Sequence, residues 1–238
     1  MKSMTLTLRQ QVGFIAWAVG AVQFFLVHYV VESAWRRPYS WADNNISDLG
    51  NVHCGMQAEP ELRYVCSPEH GLMIASFVVT GALLIVGVAL TWGVWGSGRS
   101  RLWARVLLAG TGLGFVLVGL APADIKENLH VLGALLIMGT GNLGLLLAGV
   151  GPARGMLHSL RWVTRLLGAL AIGAALLHLS HQYLGFGMGG MERVAVFPIL
   201  VWTFMVGAFA MYGAGQATTA RARNHGWRRS MSTLLRTL

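Results

Sequence analysis

Eight side chains stand out by their places in the sequence as groups that could bind a metal or move a proton: Asp48, His70, Asp124, His130, His178, His181, Glu192 and Arg193. Histidines at 70, 130, 178 and 181 make a possible zinc ligand set. A histidine-held zinc lowers the pKa of its bound water to about 7 and supplies hydroxide for attack on an ester or amide. Without a metal, a histidine can act as general base while Asp48, Asp124 or Glu192 orients or protonates. Arg193, next to Glu192, reads as a gate or a partner contact. Asn45 and Ser47 add small polar groups just before Asp48, in Asn45-Ile46-Ser47-Asp48-Leu49-Gly50. His178 and His181 are three residues apart, a spacing that shares a helix face.

A plainer expectation stands beside each. His70 and His130 fit interfacial residues at helix mouths, and His28 fits the lipid interface. Asp48, Asp124 and Glu192 fit helix starts, where a carboxylate meets unpaired backbone N–H groups. Asn45 to Gly50 fits a turn built from Asn, Ser, Asp and Gly.

These residues are positioned by apolar segments. Runs at about 12–31, 71–95, 103–120, 129–150, 162–184 and 194–213 are each long enough, at about 1.5 Å per residue, to cross most or all of a hydrocarbon core of roughly 30 Å. The first is longer than the apolar region of a signal peptide and no small-residue cleavage site follows it, so it reads as a retained span. The expected fold is all-α: a six-helix polytopic membrane domain over 1–215, with an outer loop at 32–70 and a basic tail at 216–238.

Charge separates the connections. Arg99, Arg101 and Arg105 follow the second span, Arg154, Arg161 and Arg165 the fourth, and Arg221, Arg223, Arg228, Arg229 and Arg236 the sixth. The other connections are acidic or near neutral, although Arg36, Arg37 and Arg63 weaken the contrast. The positive-inside rule puts both termini in the cytoplasm of a multi-pass plasma-membrane protein. It also puts Cys54 and Cys66, the two cysteines of the chain, in an oxidising compartment, where a disulfide would stabilise their loop by about 3 kcal/mol. Their spacing matches no usual zinc pattern.

Composition agrees with a bilayer. Of 238 residues 55% are hydrophobic and 11% charged, and mean hydropathy is +0.57, too few charges to clothe a soluble domain. The net charge of +9 is placed as topology signals rather than as a basic and aromatic surface, so no nucleic-acid partner is expected. Gly110-Thr111-Gly112-Leu113-Gly114 has the composition of a phosphate loop but sits in mid-span with no strand before it. It reads as helix packing. The tail interleaves arginine with Trp227, Met231, Leu234 and Leu235 and reads as a solvated tail or an interfacial helix.

Four segments carry a family resemblance: Asn45 to Gly50, Cys66-Ser67-Pro68-Glu69-His70, Pro122-Ala123-Asp124 with His130-Val131-Leu132-Gly133, and Gly190-Met191-Glu192-Arg193. In order and spacing they resemble the membrane family catalogued as domain of unknown function 998, over nearly the whole chain; that family brings no established activity. The Ile46-Ser47-Asp48 segment after the first of six spans is similar to the FGF-receptor-activating and damage-regulated autophagy modulator membrane proteins, which implies lipid handling. The inventory of Ser47, Asp48 and histidines resembles the alkaline ceramidase and adiponectin receptor hydrolases. It departs from them in having six spans rather than seven and His-x-x-His in place of His-x-x-x-His.

Two functions follow. One is an enzyme or binder acting at an outward-facing polar pocket on a lipid or lipid-linked substrate, with zinc as a possible cofactor. The other is a non-catalytic transporter, ligand binder or stabiliser of a membrane-protein partner. The lack of a three-plus-three repeat and of many internal prolines makes transport the weaker branch.

Overall fold

The computed structural model describes residues 6–58, 61–150 and 156–237, with side chains described through residue 216 apart from 156 and 157. Among the described residues six helices are long and apolar enough to cross a membrane: α1 (Leu8–Ser33), α2 (His70–Thr91), α3 (Arg99–Leu120), α4 (Glu127–Val150), α5 (Arg161–Leu179) and α6 (Gly187–Thr237). The chain is an all-α polytopic membrane bundle. Its small sheet is one antiparallel hairpin, β1 (Gly55–Gln57) with β2 (Arg63–Val65), between α1 and α2.

Helix ends differ from the apolar runs because local hydrogen bonding sets them. α1 starts at Leu8, ahead of the apolar run, because Thr7 and Gln10 form a capping box: each side chain accepts from the other's backbone N–H, so two orphan donors are satisfied. α5 stops at Leu179, short of the expected Leu184. His181 adopts a left-handed φ of 57°, its N–H bonds the carbonyl of His178, and the N–H of Gln182 bonds that of Leu177. This pair of bonds is a Schellman closure. His178 and His181 therefore do not share a helix face. α6 starts at Gly187, well before the expected Val194, and runs on into the basic tail. The side chains of that tail, and Arg154, lie outside the described residues.

The six helices form a closed ring in chain order, each packed on the next and α6 back on α1. Close approach depends on small residues, because lipid offers no hydrophobic drive for helices to associate. A Cβ at Gly112 of α3 would lie 2.6 Å from Ile85 and 2.8 Å from the Gly81 carbonyl of α2. A Cβ at Gly114 would lie 2.7 Å from the Gly133 carbonyl of α4. The glycine-rich stretch of the third span is a packing surface, as its position implied.

Aromatic rings fill the ring of helices. Phe24 of α1 is fully buried and touches Phe77 of α2, Phe115 of α3 and Phe197 of α6. Farther along the axis, Trp17, Trp95 and Trp202 stack within 6.0 Å of one another.

Consecutive helices run in opposite directions, so the connections alternate between two mouths of the bundle. At the arginine-rich mouth, Arg9 donates to the Ala89 carbonyl (3.5 Å), Arg105 to that of Trp92 (2.8 Å) and Arg101 to that of Trp95 (2.5 Å). Arg165 donates to the Gly149 carbonyl at 2.8 Å. These carbonyls lie at or near the C-terminal ends of α2 and α4, the negative ends of their dipoles. The arginines that signal topology thus also satisfy orphan acceptors.

Candidate functional site: a polar cleft at one mouth of the bundle

At the opposite mouth, residues 34–58 and 61–69 fold down over the ring. The clasp is Arg193, one turn into the buried part of α6 and itself buried. Its guanidinium donates to the carbonyls of Asn44 (2.8 Å), Gly189 (2.7 Å) and Trp41 (3.1 Å) and to the Tyr39 hydroxyl. Tyr39 in turn donates to the Asn45 carbonyl at 2.8 Å. Burial raises the Tyr39 pKa above its ordinary value, with Arg193 acting against it. The neutral phenol can therefore donate and accept at once. Gly187 and Gly189 are required here. An added Cβ would run into the Ala42 and Asn44 carbonyls, and Gly187 has a φ of 74°.

Beside the clasp, the carboxylate of Glu192 accepts from the Ile46 N–H at 2.5 Å. It pins the start of a short 3-10 helix, Ser47–Gly50. Asp48, buried within that turn, is saturated. It accepts from Arg63 through both oxygens (2.8 Å each), from the Asn45 N–H (3.0 Å) and from the Asn44 amide (3.2 Å). Burial works against charge on Arg63, but its hydrogen bonds to Asp48 together with the attraction of Asp48, Glu192 and Glu61 outweigh that and raise its pKa. Arg63 sits on β2 and reaches Asp48 because the hairpin folds back, closed by the Cys54–Cys66 disulfide.

Next to the clasp are two spaces that share lining residues. The larger is a cleft of about 520 Å³ at the mouth, lined among others by Asp48, Asn51, Arg63, Asp124, Glu127 and His130. Beneath it lies a small apolar cavity of about 30 Å³ between Phe77, Phe115, Val118, Ile137 and Val196, with Glu192 in its wall. Ser47 and His130 line both. His130 is buried, and its Nδ1 meets the Ala121 carbonyl at 2.8 Å. A carbonyl can only accept, so in the neutral ring Nδ1 carries the proton and Nε2 is the acceptor.

Asp124, in the turn between α3 and α4, accepts from the His53 N–H at 2.7 Å and meets the His53 ring at 3.1 Å through Oδ2. Its Oδ1 is buried and has no hydrogen-bond partner among the described residues, as is true of the side-chain oxygens of Asn45 and Asn51.

The structure thus brings Asn45, Ser47, Asp48, Asp124 and His130 to one cleft, with Glu192 and Arg193 supporting its floor. It does not bring the histidines together. His70 opens α2 and turns its Nδ1 to the Ser67 carbonyl at 2.9 Å. His178 and His181 flank Tyr183, and none of these three lines either space. Among the described residues no group of three or more His, Cys, Asp or Glu side chains could hold a metal ion. The zinc set expected at His70, His130, His178 and His181 therefore has no shared centre.

His28, expected at the lipid interface, is instead buried against Phe24, Tyr39, Trp41 and Phe197, with Nδ1 3.3 Å from Glu32. Sequence reasoning missed Arg63, Asn51 and Glu127 as cleft residues. Arg63 was read as charge noise on the outer side. The signal available was its place inside the cysteine-closed loop that also follows Asp48.

A closed six-helix membrane bundle with a loop-capped polar cleft at one mouth is the class that fold and site define. By sequence the chain belongs to the family described as protein of unknown function DUF998, whose model matches residues 18–233. No curated protein and no solved structure matches it.

Proposed function

We propose that this protein recognises the polar head of a lipid or lipid-linked molecule in the cleft at the mouth away from the cytoplasm. The observation that carries the reading is the two-part site. A polar cleft of about 520 Å³, within the usual range for small-molecule pockets, meets an apolar cavity at Ser47 and His130. The cavity has room for only roughly two waters. The head is therefore the recognised part, and the chains stay in the bilayer. The arginine-rich mouth is the cytoplasmic one by the positive-inside rule, which puts both termini inside and the cleft at the outer leaflet.

If the bound head is also transformed, His130 is the group placed to take its proton. Its ring is fixed by the Ala121 carbonyl, leaving Nε2 as acceptor. Asp48 and Glu192 then act as positioning residues, because their hydrogen bonds hold the turn that carries Ser47.

A second reading, passage of the ligand through the bundle, is favoured by backbone irregularity around the cavity. α4 contains a π-helical segment at Leu136–Gly141, and α6 contains Pro198. Irregular spans are common beside transport and other functional sites.

The test is native mass spectrometry of the purified protein released from lipid nanodiscs. The wild type should retain a lipid through detergent exchange. His130→Phe, which fills the junction of the two spaces, should lose most of that retention while keeping its melting temperature within a few degrees. Equal retention by the two proteins would contradict the reading.

A further inference from the structure

The chemistry lining the cleft selects the kind of head it takes. Among the described residues its charged side chains besides His130 are three carboxylates, Asp48, Asp124 and Glu127, against one guanidinium, Arg63. Arg63 and Asp48 are committed to each other through two hydrogen bonds of 2.8 Å. The carboxylates of Glu127 and of Asp124, which meets the His53 ring, are then the negative charge left in the lining. Phosphate-binding sites have the opposite character, with guanidinium, ammonium or backbone N–H groups aimed at the ligand.

A second, independent observation indicates the same polarity. The Asp124 side chain is 5% exposed. Its Oδ2 is occupied by His53, while its Oδ1 is buried and has no partner among the described residues. The buried side-chain oxygens of Asn51 and Asn45, in the same lining, are also unpartnered. Buried acceptors are ordinarily satisfied, and leaving one unpaired is destabilising. Three acceptors in one cleft call for a ligand that brings donors. Among the described residues no three His, Cys, Asp or Glu side chains are grouped, and a ligand that carries its own N–H donors meets these oxygens directly.

We infer that the cleft binds a primary ammonium group, with Asp124 Oδ1 and Asn51 Oδ1 as its acceptors. This rests on the head-recognition reading above and narrows it. An ammonium has three N–H donors and a positive charge, which fits two or three acceptor oxygens and the net charge of the lining. The ammonium can belong to a lipid head or to a free amine.

The test uses the full-length protein in nanodiscs of phosphatidylcholine containing one-fifth phosphatidylethanolamine or one-fifth phosphatidylglycerol. Retained lipid is read by native mass spectrometry, with free ethanolamine as competitor. The wild type should retain the ethanolamine-headed lipid preferentially. Asp124→Asn, which keeps the shape and removes the charge, should reduce that preference roughly tenfold or more, the scale of one charge-assisted hydrogen bond. Glu127→Gln, on the rim, provides a second charge-removing variant should Asp124→Asn fail to fold, and should weaken the preference in the same direction.

Displacement by millimolar ethanolamine would support the inference with the head alone as the recognised part. Retention of the lipid without competition would support it with the lipid as the source. Equal or stronger retention of the glycerol-headed lipid would overturn the ammonium assignment while leaving head recognition standing. Retention of neither lipid, with no rise in melting temperature on adding free ethanolamine, would overturn both.

Discussion

Asp48 and Arg63 show most directly how this protein handles charge at the membrane edge. Both side chains are nearly buried, with 1% and 11% exposure, and removing one partner of such a pair leaves the other charged and unpaired. Asp48→Asn and Arg63→Gln are each expected to destabilise the fold by about 3–5 kcal/mol. The double variant should cost clearly less than the sum. A double-mutant cycle of thermal unfolding in detergent measures this, and additive losses would show that the pair is not coupled. Asp48 was legible in the sequence because a carboxylate in an Ile-Ser-Asp-Leu-Gly turn is conspicuous in a chain with so few charges. Its partner was not, because an arginine fifteen positions on has no local relation to it. The same holds for His53 and Asp124, which meet across 71 positions.

The elements divide in the same way. Six apolar runs were readable because a span needs about twenty residues that can satisfy their own backbone bonds. Their ends were not readable, because a capping box at Thr7 and a Schellman turn after Leu179 depend on individual hydrogen bonds rather than hydropathy. That mattered for function: the turn takes His181 off the helix, and with it the proposed metal pair. The loop after α1 behaves as a small tied element. The Cys54–Cys66 disulfide joins the ends of the β1–β2 hairpin, and the hairpin carries Arg63 to Asp48. Replacing both cysteines by serine is expected to destabilise the loop by about 3 kcal/mol. The wild type should show the same loss on reduction, read as a lower melting temperature in dithiothreitol. Unchanged melting would mean that the Asp48 and Arg193 contacts hold the hairpin without the disulfide.

At the scale of the molecule, one ring of helices serves two different mouths. At one, arginines meet helix C-termini and mark the expected cytoplasmic side. At the other, a clasped loop shapes a polar cleft lined by Asp48, Asp124 and His130. The polar residues at this second mouth were legible as a group because alternating spans collect alternate loops. Which of them touch the same space was not, since that depends on the packing of residues 34–58 and 61–69 against the α3–α4 turn and α6. The most direct measurement is photocrosslinking in native membranes with a lipid that carries its diazirine on the head group, followed by peptide mapping. Crosslinks should concentrate in residues 45–63 and 121–131 and fall sharply in His130→Phe. Labelling confined to the lipid-facing surfaces of the helices, with those two segments unmodified, would contradict a head-binding cleft.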